Sequence, residues 1–422
     1  MTTRRTIFLC PPRPTLTNYH PCTYTIEVIT PLFGGGVETG VNDPVTLIRP
    51  SSIRGHLRFW WRATRGAALC KDVAELRLRE GDIWGSTENP SQVKVIVEVE
   101  KKGDDLLVGR FIERKQFRFD VVPPYAAFPA RPQYDGQKTL EQNNDTVARF
   151  RNGIEFTLRL EFPTNLEGDI QAAVTAWVNF GGIGARTRRG FGALYCQHLA
   201  PEGPVSFDAF VKTLGTDKEN ASSWPVLFQC YDLGNHKKLS RQKEEYLAAW
   251  KEGIDKLQAF RQSPPIGRQA GSGKKHGRSH WPEAEAVRNL VFAQRKTAGG
   301  FTGSRSATNP AGWHEPDSAL STRGVDPVYF PRAEFGLPII WEIKPETLPN
   351  NKENLKPTLQ YDEKHDRLAS PLIIRPIRFQ NGTVCPLFLR LRTPSLNAAY
   401  LKPGEKDVVG CEIGKVGQNF FL

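Results

Sequence analysis

The chain has 422 residues, with 57 Lys and Arg against 45 Asp and Glu, a formal net charge of +12. That length exceeds what one compact core supports, so two or three domains are expected. Hydrophobic residues at 39% and charged residues at 24% exclude disordered and fibrous classes, and no apolar run of about 18 residues exists to span a bilayer.

Near the start, Thr6-Ile7-Phe8-Leu9-Cys10 stands between two arginines and two prolines, short of the about 7–15 apolar residues of a secretory signal. The seven cysteines, at 10, 22, 70, 196, 230, 385 and 411, form no C-x-x-C pair. That pattern argues against a zinc site and against a disulfide framework. The expectation is a cytoplasmic protein with reduced thiols, no metal and no cofactor, whose charge points to a polyanionic partner.

The charge is clustered. Arg49, Arg54, Arg58, Arg62 and Arg65 occupy a stretch with no acid. From Lys256 to His314, ten basic residues face only Glu283 and Glu285, which is two thirds of the surplus of the whole chain. Clustering of this kind suits a phosphate-rich partner.

In chain order, Thr23–Ile29 alternates polar and apolar as a half-buried strand does, and runs into the glycine turn Gly34-Gly35-Gly36. Pro50-Ser51-Ser52 signals a helix start. At about 100° per residue, Ile53, Leu57, Trp60, Trp61, Thr64 and Ala68 share one face, while Arg54, Arg58, Arg62 and Arg65 line an adjoining arc. Gln92–Glu100 reads as a second strand and Arg110–Val122 as extended. Residues 122–152 read as a long insertion.

Gly153–Phe162 is a further strand, and Glu167–Phe180 a helix with Ile170, Val174, Trp177 and Val178 inward. The helix runs into Gly181–Gly192, where five glycines surround Arg186, Arg188 and Arg189, and a last strand is expected over Phe191–Gln197. The order β-α-β-β-α-β predicts an α+β fold of the ferredoxin-like, RRM-like kind, with long loop insertions. After residue 200 the pattern breaks at Pro201 and Pro204, so a domain boundary is placed there (1–200 and 201–422). In the second half, Leu239–Gln262 reads as a helix with a solvated outer face, 263–280 as a basic loop, 281–294 as helical, and 298–325 as a Gly- and Ser-rich stretch. Strands are expected at Gly336–Ile343, Ala369–Phe379 and Val384–Arg392, making a second, degenerate domain of the same kind.

The Gly181–Gly192 segment follows a helix and lacks the third glycine of a dinucleotide fingerprint, and Gly34–Gly40 is not followed by the Gly-Lys-Ser/Thr of a P-loop. Glycines there let a backbone approach a phosphate closely, and the arginines add fixed charge.

Thr30-Pro31-Leu32-Phe33-Gly34-Gly35-Gly36, followed by Arg49-Pro50-Ser51-Ser52-Ile53-Arg54-Gly55-His56-Leu57-Arg58-Phe59-Trp60-Trp61-Arg62, closely resembles the RAMP superfamily, and within it one Cmr subunit family of the type III-B CRISPR effector. The segment 181–192 resembles the superfamily's glycine loop, and Arg278–Glu283, Arg332–Pro338 and Arg367–Leu372 are similar to the same family. The resemblance implies an RNA-binding, non-catalytic subunit of an antiviral ribonucleoprotein. Its expected partners are guide RNA near the 3′ end, single-stranded target RNA and the other Cmr subunits.

The RNA-binding residues expected in the first motif are Gly34, Gly35, Gly36, Arg49, Arg54, Arg58, Trp61 and Arg62, with an arginine fork for phosphate and a tryptophan to stack a base. The glycine loop adds Gly182, Gly184, Arg186, Arg188 and Arg189, and the basic loop adds Lys274, Lys275 and Arg278. Large aromatics on an amphipathic helix more often serve as core, and Trp60 lies deeper in that face than Trp61. Two alternatives stay open at this point. One is a metal-independent endoribonuclease that processes guide precursors with His20 or His56 as general base; the other is a purely structural assembly subunit.

Overall fold

The computed structural model of the protein describes residues 19–36, 40–113, 116–145, 147, 149–215, 223–228, 231–235, 242–264, 268–271, 279, 281, 331–341, 356–362, 364–394, 396, 398–402 and 409–412.

Strand β1 (Tyr19–Val28) alternates exposed and buried positions toward its end, with Tyr24, Ile26 and Val28 inward. Helix α1 (Pro50–Trp61) starts with proline at N1, where the missing N–H costs nothing, and buries Ile53, Leu57, Trp60 and Trp61. Each such side chain contributes about 1.5–3 kcal/mol on burial. The helix continues through a π turn, Arg62–Gly66, in which Thr64 Oγ1 donates to the Trp60 carbonyl at 2.7 Å. The wider turn rotates the residues after it, so Ala67 is buried and Ala68, expected on that face, is half-buried. Helix α2 (Val73–Trp84) is capped by Asp72, whose carboxylate accepts the Glu75 N–H at 2.8 Å.

Strand β2 (Lys94–Lys101) leads into the short β3 (Asp104–Leu107), the hairpin β4 (Gly109–Glu113) and β5 (Gln116–Phe119), and β6 (Arg149–Asn152). Between β5 and β6 the segment expected to be a loop holds two short helical turns, Pro124–Ala127 and Leu140–Asp145. Strand β7 (Glu155–Pro163) alternates strictly, with Phe156, Leu158, Leu160 and Phe162 inward. Helix α3 (Glu167–Phe180) keeps the bounds expected from its pattern. The expected last strand shrinks to β8 (Leu194–Tyr195). Just before it the backbone bonds to the turn after β1 instead of a ladder: Gly192 N–H donates to the Pro31 carbonyl and Ala193 N–H to Thr30 Oγ1.

The first sheet has the order β2-β7-β1-β8, antiparallel at every edge. One hydrophobic cluster joins this sheet to α1 and α3. It also takes in Phe207 and Val211 of α4 (Phe207–Leu214) and Ile373, Ile377, Leu387 and Leu389, so residues on both sides of position 200 share one core.

Beyond α4 come β9 (Tyr231–Leu233), α5 (Gln242–Gln262), β10 (Ile339–Ile340), β11 (Thr358–Gln360), β12 (Leu372–Arg378), β13 (Val384–Arg390), β14 (Ala398–Lys402) and β15 (Val409–Glu412). They form two antiparallel sheets, β12-β13-β9 and β10-β11-β14-β15. The fold is thus mixed α/β with antiparallel sheets. Helix α5 corrects the expectation of a solvated surface helix: Tyr246, Ala249, Trp250, Ile254, Leu257 and Phe260 are buried. These positions make one stripe at three- and four-residue spacing, which the charges of the opposite face obscure in the sequence. The expected helix over 281–294 and the stretch 298–325 lie outside the described residues, apart from Trp281.

Candidate nucleic-acid interface

The turn after β1, the glycine loop after α3 and the first turn of α1 meet. Gly34, Gly35 and Gly184 line one small cavity of about 30 Å³ together with Arg49, Ser52 and Ile53. Ala185 N–H donates to the Phe33 carbonyl at 2.7 Å, which ties the two glycine segments backbone to backbone. Gly184 has φ +78°, and a Cβ there would sit 2.5 Å from Leu32 Cδ1 and 2.7 Å from the Phe33 carbonyl oxygen. The protein's own packing therefore requires that glycine. Gly35 is exposed and Gly36 half-buried, whereas Gly34 and Gly182 are buried. Helix α1 begins without a side-chain cap or an acid in its first turn; the Ser52 and Ile53 N–H groups donate to the Arg49 carbonyl at 3.0 and 3.1 Å, and the positive dipole end has no capping side chain.

The five arginines 49–65 look uncompensated in the sequence, yet the fold brings three acids to them, Asp43 from six residues upstream and Glu80 and Asp169 from farther along the chain. Asp43 pairs with Arg49 and also accepts the N–H groups of Val45 and Thr46. The Thr46 N–H first, then Arg49 and the Val45 N–H, hold this carboxyl down at about 2. Glu80 of α2 accepts from Arg58 Nε at 2.6 Å and Arg62 Nη1 at 2.5 Å. Asp169 of α3 lies 3.8 Å from Arg65 Nε. Arg54 is half-buried and has no ion-pair or hydrogen-bond partner among the described residues.

Trp61 corrects the stacking expectation. Its relative exposure is 0%, and its indole N–H donates to Asp169 Oδ1 at 2.7 Å, so no base reaches its ring. Trp60, at 2%, is core as well. The helix face is wide enough to place both tryptophans against α3 and the sheet.

The glycine-loop arginines are also largely spent inside the protein. Arg186, at φ 58° in the left-handed region, donates Nε to the Ala126 carbonyl at 2.7 Å. Arg188 donates to the Ser370 carbonyl at 2.5 Å, and Arg189 to the Leu372 carbonyl at 2.8 Å and Ser370 Oγ at 3.2 Å. Burial lowers all three guanidinium pKa values, that of Arg189 to about 9 with help from neighbouring arginines. They remain cationic at neutral pH, but they join the first half to the insertion and to the second half. Lys274, Lys275 and Arg278 lie outside the described residues. Of the other basic residues expected in that region, Lys256 pairs with Asp232 at 2.7 Å.

Neither histidine expected as a general base has a relay among the described residues. His56 is packed parallel to the Trp177 ring, and burial lowers its pKa. His20 is exposed beside Phe162. Neither has a carboxylate partner among the described residues. No group of three or more His, Cys, Asp or Glu able to hold a metal occurs among the described residues. Cys22, Cys196 and Cys385 are free thiols. No described helix is long and apolar enough to cross a membrane.

Sequence reasoning missed Asp43, Glu80 and Asp169, together with the loop that follows Trp84. Arg54 and Arg58 line an open groove of about 510 Å³ with Trp84 and the loop Gly85–Ser91. The Trp-Gly-Ser run bounding β2 was its only sequence signal.

The family model of the RAMP superfamily matches residues 25–195. The chain is 30% identical over 182 residues to the CRISPR system Cmr subunit Cmr1-2 of Pyrococcus furiosus, covering 42% of this chain and 95% of that protein. This chain belongs to the RAMP superfamily, in its Cmr1 family. Among solved structures, it is similar to the crystal structure of Cmr1 from Pyrococcus furiosus in the apo form, at TM-score 0.48 and 16% identity, covering 89% of each chain. It is also similar to a chain of the type III-B Cmr-beta bound to cognate target RNA, solved by cryo-EM. There the TM-score is 0.46 and the identity 12%, covering 92% of this chain and 97% of that one.

Proposed function

We propose that this chain is a non-catalytic RNA-binding subunit of a cytoplasmic type III-B CRISPR ribonucleoprotein. It engages the 3′ region of the guide RNA, single-stranded target RNA, or both, beside other Cmr subunits. The first four-stranded sheet, with its strands in the order β2-β7-β1-β8, α1 and α2 between β1 and β2, and α3 between β7 and β8, reads as a ferredoxin-like unit. The residues after 200 read as a second, degenerate unit packed on the same core.

The observation that carries the reading is the meeting of Gly35, Gly184 and the uncapped first turn of α1 in one cavity, with Arg49 on its lining. Glycine backbones, a positive helix end and the Arg49 guanidinium, itself paired with Asp43, surround this water-sized cavity, so a phosphate oxygen at its mouth meets little side-chain bulk. Kinship with a Cmr subunit supplies the class of polyanion. Of the expected site residues, Gly34, Gly35, Gly36, Arg49, Arg54, Gly182 and Gly184 are retained in this proposal. Arg58 and Arg62 contribute charge already shared with Glu80, and Arg49 charge already shared with Asp43.

The test is a salt titration of binding to labelled single-stranded RNA. A log–log slope of several units is expected if phosphates are gripped, whereas a flat response overturns the reading.

A further inference from the structure

We propose that the groove between α1 and the loop Gly85–Ser91 is a nucleotide subsite, holding one phosphate–ribose unit of a single-stranded RNA. The proposal deepens the RNA-binding reading and rests on it.

The two walls are chemically different. On one side stand Arg54 and Arg58, one helical turn apart on α1. Arg54 has no acid opposite it among the described residues, and no carboxylate lines the groove. Arg58 is anchored through Nε to Glu80 at 2.6 Å, while its side chain stays 37% exposed. One guanidinium is thus held in place by Glu80, and the other, unpaired among the described residues, has its planar fork available for a phosphate.

The other wall is rigid. Ser86 Oγ accepts the N–H groups of Glu88 and Asn89 at 3.2 and 3.0 Å, and Ser86 N–H donates to the Asn89 carbonyl at 2.8 Å. Ser91 Oγ donates to the Val93 carbonyl at 2.9 Å. Gly85, at φ +92°, makes the turn possible, since a Cβ there would sit 2.9 Å from Ser91 N. A loop fixed in this way loses little entropy when a ligand arrives. It presents the exposed side chains of Thr87 and Asn89, neither of which has a side-chain partner among the described residues. Hydroxyl and amide groups of this kind suit the oxygens of a ribose.

Trp84 lines the groove as well. It is 1% exposed, and its Nε1 is buried with no acceptor among the described residues. An unmet buried donor is uncommon in a folded protein and marks a place where a polar acceptor is still wanted. The volume, about 510 Å³, falls in the range of small-ligand sites and admits one nucleotide unit. One unpaired guanidinium, a second shared with Glu80, an unmet donor, an amide and hydroxyls around one cleft, with no carboxylate among its lining residues although Glu88 lies in the loop, describe a receptor for a phosphate joined to a sugar.

The test uses the full chain and a fluorescein-labelled oligouridylate of about fifteen nucleotides, long enough to cover a single-strand site. Arg54→Glu and Thr87→Glu place a negative charge on opposite walls, and Arg110→Glu on the β4–β5 hairpin serves as a control. We expect each groove variant to weaken binding about tenfold or more and to lower the salt slope by about one, with the control within about twofold of wild type. Thermal melts matching wild type show that the fold is intact. If wild type binds with a steep salt slope and both groove variants bind like it, the groove is wrong and the RNA reading stands. Weakening by Arg54→Glu alone places the strand on α1 outside the cleft and also overturns the proposal. If wild type itself does not bind, the RNA reading fails and the subsite with it.

Discussion

The guanidinium of Arg375, on β12, donates from Nη1 to the carbonyl of Gly181 at 2.6 Å, at the C-terminal end of α3. The same side chain donates to the carbonyls of Val178, Leu194 and Pro376, and it is fully buried. No carboxylate pairs with it among the described residues; four carbonyls and the negative end of the helix dipole hold the charge. Burial pushes its pKa down to about 9, which leaves it cationic at neutral pH. A residue from the second half therefore closes the helix that leads into the glycine loop.

Replacing Arg375 by Met leaves the carbonyls of Val178, Gly181 and Leu194 buried without donors. Each such group costs about 1–3 kcal/mol, so a loss of about 3 kcal/mol or more is expected in urea unfolding. Arg375→Lys keeps a charge but not the planar fork, and should fall between the two. A loss below about 1 kcal/mol for Arg375→Met would mean that the segment relaxes and that the two halves are not coupled here.

Glu80 leads to an opposite pair of effects. It neutralises Arg58 and Arg62 and, with a side chain 9% exposed, sits at the base of α1. Glu80→Gln should lower stability by about 1–3 kcal/mol through the loss of charge-assisted bonds. If RNA is bound along α1, the same change should raise RNA affinity and steepen the salt slope, because two cations regain their full charge. Affinity that falls in step with stability would show that the Glu80 contacts position the binding edge.

The two helices of the first sheet were legible because each carries its own signal. Glu167–Phe180 is apolar almost throughout and begins with acids, and Ile53, Leu57 and Trp60 repeat at helical spacing. The order of strands and helices followed from that, but the charge balance of α1 did not. Glu80 and Asp169 stand at distances along the chain that no local window joins to Arg58 and Arg65, and Asp43, six residues before Arg49, lies just outside the acid-free stretch. The glycine loop was legible as a place of close backbone approach. The roles of Arg186, Arg188 and Arg189 were not, since their acceptors belong to Ala126, Ser370 and Leu372. Exposed guanidinium groups and guanidinium groups turned onto remote carbonyls look the same in a sequence.

Arg189 and Arg54 should separate accordingly. Arg189→Ala removes donors from the Leu372 carbonyl and Ser370 Oγ at a buried junction, so a stability loss of about 2–4 kcal/mol is expected. Its RNA salt slope should stay within about half a unit of wild type, because a buried charge releases no counterion. Arg54→Glu should do the reverse, leaving the melt in place and lowering the slope. A slope that drops by about one in Arg189→Ala would restore the glycine-loop arginines as phosphate ligands.

Asp43 makes the approach to α1 sensitive to acid. Its carboxyl is held at about 2 by the Thr46 N–H, the Arg49 guanidinium and the Val45 N–H, against about 3.9 for an unfolded Asp. Between those values the unfolded chain binds the proton and the folded chain does not, so stability falls as pH falls. The contribution is complete above about 4 and disappears toward 2. Asp43→Asn lacks it throughout, so the difference in urea midpoint between wild type and variant should be largest near neutral pH and shrink to nothing at about pH 2. A difference that persists unchanged into acid would mean that the carboxylate's charge is not what fixes Arg49 at the start of α1.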